Sequence, residues 1–530
     1  MLESARRLTL PPASNLRNDV DSTWFHLLPS LELGTVVCIG IPSATVTRLI
    51  ERHAARVVVF GPETPEELPD CDLLVVACGP DSELESTIRA LVPLIGSATT
   101  VALLPPPGAR HRWGWRGCRS AADILGKTLQ PSGRWFLIPS RREGSRTSKR
   151  MRRARRLLTA RIGRHLGRRS LGAAHHASDL VVHRPILING VPRSGNGALL
   201  GSAMSLSRLP QYLLDLGAAH GFDFGAARWS FGPARGFRSQ KIVFIVDKSS
   251  DDGELIIKST QEARFNERLA AEVAALEMLQ NAGDLPELTV PEIRFAAEHS
   301  GLLLVAETKL TGAPYRWVAR PDPNGIHFDA GIDALIALAA TTRRTVTPRE
   351  LGDAMDTLVK SFCDTFSPPR SVAEALTEAA DRLATKSVPA VLQHGDFGVW
   401  NLLAPADGAP IGILDWENAD ASGVPLWDLF VFARTFGVFM ADSAGVRYSP
   451  AVFRRQLLEP SPLLKALEQA TNRFCTELSI DEAAVSDLFT LCWVQQAIRE
   501  AATLPKPSWE EGRNNRYVEA CLHTPLRLGI

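Results

Sequence analysis

Between Val391 and Asn418 the chain reads VLQHGDFGVWNLLAPADGAPIGILDWEN, with Asp396, Asn401 and Asp415 set at the ends of short apolar runs. Residues 401–404 and 411–414 have the length and composition of two short strands, and Asp407-Gly408 between them is a turn signal. Pairing the two strands brings Asp396 and Asn401, at or before the start of the first, close to Asp415, which follows the second. Three oxygen-bearing side chains then converge on one point. Oxygen donors suit a hard cation, and magnesium is usually held by one or two carboxylates together with nucleotide phosphates. On that chemistry Asn401 and Asp415 bind the metal, and Asp396 accepts the proton of an attacking hydroxyl.

The spacing carries the same message. In protein kinases the catalytic loop places its base Asp five positions before the metal-binding Asn, and a second metal-binding Asp follows a further hairpin. Asp396 and Asn401 keep that interval, with His394-Gly395-Asp396 in place of His-Arg-Asp and Asp415-Trp416-Glu417 in place of Asp-Phe-Gly. The variant HGDFGVWN followed by ILDWEN resembles the aminoglycoside phosphotransferase and choline kinase-like family. The bland reading, a His-Gly-Asp turn and a strand-end cap, explains neither the interval nor the hairpin.

A kinase fold requires a smaller lobe upstream that holds the ATP phosphates. Strands are expected at 227–231, 241–246 and 254–258, the last ending in Lys258. The helix that follows, ARFNERLAAEVAALEMLQNAG, has a core stripe of Leu269, Val273 and Leu276, and Glu272 falls on that buried face. An acid there needs a partner, because an unpaired buried charge is expensive. Lys258 is the candidate, as the lysine–glutamate pair that positions phosphates in kinases. Further strands are expected at 293–297 and 302–307. The resemblance implies a hinge whose backbone around Glu307 to Lys309 binds adenine, and a phosphate-covering turn at Gly232–Gly236. It also implies a mainly helical large lobe, in which Asp428 either braces the catalytic loop or caps a helix. ATP and Mg2+ are the implied cofactors, and the implied acceptor is a small-molecule hydroxyl compound.

The resemblance covers residues 205–526, so the expected domains are 1–140, a basic linker 141–204, and a kinase-like domain 205–530 divided near residue 310 into a small and a large lobe. In the first domain, apolar runs at 35–39, 56–60, 73–77, 99–103 and 135–138 alternate with amphipathic stretches at 44–53 and 83–92, which argues for a parallel sheet covered on both faces. This is an α/β Rossmann-like pattern preceding an α+β bilobal protein kinase-like phosphotransferase domain. Its first turn, CIGIPSAT, holds Gly40 alone, and Glu63 comes late for a ribose-binding acid. The pattern resembles the S-adenosylmethionine-dependent methyltransferase fold with its binding motifs eroded.

Residues 141–169 carry one acid among thirteen Lys and Arg. Such a segment serves as a charged linker, or touches an anionic membrane surface or nucleic acid. The loop Asn189–Gly197 lacks the Lys-Ser/Thr of a phosphate loop and reads as a turn. A chain of 530 residues with 45% hydrophobic and 22% charged residues and a net charge of +1 is ordinary globular material, and its global charge names no partner. Eight scattered cysteines without a C-x-x-C pair, and no apolar run long enough to span a bilayer, fit a cytoplasmic protein. The leading expectation is ATP-dependent phosphoryl transfer to a small-molecule hydroxyl. The alternatives are a methyltransferase acting through the first domain and a non-catalytic nucleotide-binding protein.

Overall fold

The computed structural model of the protein describes residues 25–26, 28, 30–40, 44–61, 65–77, 81–95, 99–104, 134–139, 186–187, 197–202, 209–225, 227–233, 241–247, 254–283, 285–405, 407–501, 509 and 512–526. The basic segment 141–169, the loop 189–196, Glu63 and residues 234–236 of the phosphate-covering turn lie outside them. The chain forms two compact units, Met1–Asn266 with Arg294–Thr308, and Glu267–Ile293 with Lys309–Ile530.

In the first unit, β1 (Leu33–Ile39), β2 (Ala54–Phe60), β3 (Leu73–Ala77) and β4 (Thr100–Leu104) are parallel, and the helices Ala44–His53 and Asp81–Leu91 fall between successive strands. Both helices and all four strands fall within two residues of where the apolar alternation predicts them. Gly40 closes β1 with a φ of 77°, a left-handed turn that glycine adopts without strain. Beyond β4 the sheet continues through β5 (Arg134–Pro139), β6 (Ile186–Leu187) and β7 (Gly197–Ser202), in the order β2-β1-β3-β4-β7-β5-β6. β7 runs antiparallel to both β4 and β5. The stretch read as linker therefore supplies two strands. The short, glycine-bounded GALLGS carries no pattern that would announce the second of them.

The same unit holds an antiparallel sheet whose β8 (Arg228–Pro233), β9 (Lys241–Asp247) and β10 (Glu254–Thr260) form the expected meander. The chain leaves this unit along the helix Asn266–Ala282, forms β11 (Leu288–Thr289), and returns for β12 (Ile293–His299) and β13 (Leu302–Thr308), giving the order β12-β13-β10-β9-β8. One apolar core serves both sheets. Val36, Cys38, Leu73 and Val75 belong to it with Phe244, Leu255, Ile257, Leu304 and Ala306. Tyr212 of the helix Gln211–Ala219 donates its hydroxyl to the His26 carbonyl at 3.0 Å within this unit. The unit boundary consequently falls inside the expected 205–530 domain and not ahead of it. Alternation along β10 and β13 follows from the pleat: Leu255, Ile257, Leu304 and Ala306 enter the shared core, and Ile256, Lys258, Val305 and Glu307 take the opposite face.

The second unit carries small sheets on a helical body. β14 (Ala313–Pro314), β16 (Leu402–Ala404) and β17 (Ile411–Ile413) join β11 in the order β11-β17-β16-β14, and β15 (Val391–Gln393) pairs with β18 (Asp420–Gly423). β16 and β17 form the expected hairpin, in register Leu402↔Ile413 and Leu403↔Gly412. Gly408 takes a φ of 103° in its turn. Helices Ile326–Thr342, Pro348–Phe366, Arg370–Leu383, Trp427–Ser443, Pro450–Leu457, Pro462–Leu478, Val485–Ala501 and Arg513–His523 supply the rest. Trp416, Trp427, Trp493, Phe397 and Tyr517 anchor their core, each at most 2% exposed. No helix among the described residues is long and apolar enough to cross a membrane.

Candidate active site

The loop joining β15 to β16 is closed by its own backbone. The Gly398 N–H donates to the Asp396 carbonyl at 2.6 Å, and the Asn401 N–H donates to the Gly398 carbonyl at 2.8 Å. Leu414, at the end of the hairpin, donates its N–H to the Asn401 carbonyl at 2.9 Å, which ties the loop to the turn that carries Asp415. The side chains follow. Asn401 donates Nδ2 to the Asp396 carboxylate at 3.0 Å and to the Asp396 carbonyl at 2.9 Å. With its nitrogen committed to Asp396, the Oδ1 of Asn401 is the atom suited to a cation.

Asp415 occupies the left-handed region at φ 68°, which Asp tolerates better than most side chains. It is close enough to act on Asp396. The Asp396 carboxyl is pushed up to about 6, first by loss of water around it and further by the Asp415 charge, against the opposing effects of Trp400, Arg434 and Asn401. Asn401 Oδ1 and the Asp415 carboxylate are hard oxygen donors of the kind that could hold magnesium together with nucleotide phosphates. Among the described residues no three His, Cys, Asp or Glu side chains gather into a self-sufficient metal cage, and a metal held jointly with phosphates does not need one.

Asp428 settles its own two readings. The helix Trp427–Ser443 is capped by Leu426, at φ 71°, with no side-chain cap bond. The Asp428 carboxylate instead accepts the N–H of His394 at 2.6 Å and of Gly395 at 2.9 Å. Bracing the loop that carries His394 to Asn401 is its structural part in the fold, and burial raises its carboxyl to about 6. His394 is fixed by neighbours on both ring nitrogens: Nε2–H donates to the Leu414 carbonyl at 3.0 Å, and Nδ1 accepts the Asp396 N–H at 3.2 Å. Acceptance at Nδ1 requires the neutral ring, and burial lowers its pKa to about 4. Trp416 packs 4.7 Å from this imidazole and donates its backbone N–H to Glu272 at 3.2 Å. Glu272 is 0% exposed, on the face of its helix that also buries Leu269 and Leu276.

In the first unit Lys258 is 8% exposed and its Nζ lies 2.7 Å from the Glu307 carboxylate. Register explains the pair. Lys258 faces Val305 and Ile256 faces Glu307, so the two long side chains are diagonal neighbours on one face of the sheet. Glu307 therefore has a side-chain role that its expected place in a hinge does not require. Lys309 follows β13 and is half-buried.

Residues 234–457 match the phosphotransferase enzyme family. The matched span is under half of the chain and contains all the candidate site residues. No curated protein matches. Among solved structures, the macrolide 2'-phosphotransferase of Brachybacterium faecium is 20% identical, with 56% of this chain and 98% of that one covered at a TM-score of 0.34. A thermostable mutant of an aminoglycoside phosphotransferase is 14% identical, covering 59% and 96% at 0.36. The ethanolamine kinase of Plasmodium vivax is 13% identical, covering 55% and 82% at 0.36.

Beyond the matched span lies a residue that the sequence did not single out. Arg499, on the helix Val485–Ala501, donates to the Gly395 carbonyl and offsets the Asp428 charge. Gly395 itself sits at φ 80°, and a Cβ there would strike the Asn418 carbonyl and the Arg499 guanidinium. Replacing Gly395 by Ala is expected to cost roughly 2–4 kcal/mol from backbone strain and overpacking together. Chemical denaturation measures this, and a loss below about 0.5 kcal/mol would mean that the loop does not need its glycine.

Proposed function

We propose that the protein is an ATP-dependent phosphotransferase that moves the γ-phosphate of ATP to a hydroxyl of a small-molecule acceptor. The observation that carries this reading is the Asp396–Asn401 pair, bonded at 3.0 Å on a loop closed against the strand that Asp415 follows. Asn401 and Asp415 are assigned to magnesium, which when bound neutralises phosphate charge. Asp396 orients the acceptor hydroxyl and takes its proton, a task suited to a carboxylate whose proton affinity has been raised. Lys258 is assigned to phosphate oxygens, and the backbone from Glu307 to Lys309 is assigned to adenine. The family match at residues 234–457 supports these roles. The supply of ATP and magnesium makes the cytoplasm the natural setting.

For the first sheet, we read a Rossmann-like domain of methyltransferase type. Four parallel strands with a glycine turn after β1 support it. Its role is architectural, because it shares a core with β9, β10 and β13.

The deciding experiment is thermal unfolding of the full chain with Mg-ATP, with magnesium alone as control, beside an Asp415→Ala variant. Nucleotide at a hundredfold excess over Kd should add about 2.7 kcal/mol to the parent. Little of that gain should remain in Asp415→Ala. No stabilisation of the parent at millimolar Mg-ATP would sink the reading.

A further inference from the structure

We infer that Trp400 and Arg434 form the acceptor subsite beside Asp396, and that the acceptor is a sugar-like ring carrying an anionic group, either a carboxylate or a phosphate ester. The inference rests on the phosphotransferase reading and specifies its substrate class.

Trp400 is a large apolar ring left 45% exposed one position before Asn401. It is nevertheless held from three sides. Its Nε1 donates to the Asp396 carboxylate at 3.4 Å, its indole lies over Gly398, where a Cβ would fall 2.6 Å from Cε2, and the Arg434 guanidinium stands 5.9 Å from its ring centroid. Leaving such a ring in water forgoes burial energy. A fixed aromatic face next to a proton acceptor gives the C–H face of a sugar a platform, and presents one hydroxyl to Asp396.

Arg434 supplies the charge preference. It is 8% exposed on the helix Trp427–Ser443, and its Nε meets no acceptor among the described residues. The hydroxyls of Tyr448 and Tyr517 are likewise without hydrogen-bond partners among the described residues. Both tyrosines lie within the electrostatic reach of Arg434 and Arg513. A buried guanidinium with an unmet donor is costly until an anion reaches it, and its forked geometry suits a carboxylate or phosphate. An amine in the same place would meet the Arg434 guanidinium. Glu500, the acid acting on Tyr517, is already held by the Asn514 N–H at 2.9 Å.

The test is isothermal titration calorimetry on the full chain with one hexose in four forms: glucose, glucosamine, glucuronate and glucose 6-phosphate. At least one anionic form should bind roughly tenfold or more tightly than glucose and glucosamine, the size of one charge-assisted hydrogen bond. Which anion wins separates a sugar acid from a sugar phosphate. Trp400→Ala should weaken all four by a common factor of roughly threefold to tenfold. Arg434→Gln should bring the anionic and neutral forms to within about threefold of each other, with Arg434→Lys restoring part of the margin. Failure of both anionic forms to bind overturns the inference. So does binding of glucose or glucosamine as tight as either anion, or a margin that survives Arg434→Gln. If Arg434→Gln does not fold, the parent's ranking of the four forms decides alone. Mg-ATP stabilisation, measured on the same preparation, keeps the two failures apart. Its absence removes the phosphotransferase reading, whereas its presence without an anionic preference removes only the subsite.

Discussion

Asp396→Asn should lower the rate of phosphoryl transfer by about 10²–10⁴-fold, equivalent to about 3–5 kcal/mol in the barrier, while leaving Mg-ATP stabilisation in place. The substitution is nearly isosteric. An amide oxygen can still accept the Asn401 Nδ2 and Trp400 Nε1 hydrogen bonds that Asp396 receives, so the loop keeps its closure. What is lost is the capacity to take a proton, and with it the negative charge that orients a donor hydroxyl. The measurement is steady-state turnover with the hexose that the parent phosphorylates best, together with the melting temperature with and without Mg-ATP. Activity within tenfold of the parent would remove Asp396 as the base. Loss of both turnover and nucleotide stabilisation would instead give Asp396 a share in holding the metal.

The parts of this site that the sequence made legible are those set by short-range geometry. The interval from Asp396 to Asn401 and the turn at Gly408 are local, and the β16–β17 hairpin follows from them. The buried face of the helix Asn266–Ala282 is likewise written in its period, which placed Glu272 inside. Lys258 was legible as a strand residue but its pair with Glu307 was not, since that contact depends on the register between β10 and β13. The same limit hid Arg499, which reaches Gly395 across 104 positions, and Arg434, whose approach to Trp400 depends on where a helix packs. β7 escaped because its pairing partners β4 and β5 are far away in sequence and its own residues are short and small. Periodicity reports which face is buried, not which polar group waits on the other side.

Asp428 joins the local and long-range layers, and its replacement should have the largest effect on stability. In Asp428→Ala the N–H groups of His394 and Gly395, both in buried backbone, lose their acceptor. Each orphaned donor costs about 1–3 kcal/mol, so a total of about 2–6 kcal/mol is expected, with turnover falling as the loop loosens. Asp428→Asn should cost less, because one oxygen remains to accept. It also permits a test of sign. The Asp428 carboxyl is raised to about 6 in the fold, against an ordinary carboxyl value of 3.8. Between about pH 4 and 6 the folded chain keeps a proton that the unfolded chain has released, so this group's contribution to stability declines as pH rises through that window and levels off above it. The span amounts to about 3 kcal/mol at most. Glu350 and Asp481, whose exposed carboxyls are lowered by hydrogen bonds, act in the opposite sense at lower pH, and the raised carboxyl of Asp396 acts in the same sense as Asp428. The informative quantity is therefore the difference between parent and Asp428→Asn unfolding free energies across pH 4–7. That difference should shrink as pH rises, because the parent alone carries the buried carboxylate charge. A difference independent of pH would show that Asp428 ionises as readily in the fold as in water, and that the Arg499 guanidinium, not proton uptake, settles the burial of its charge.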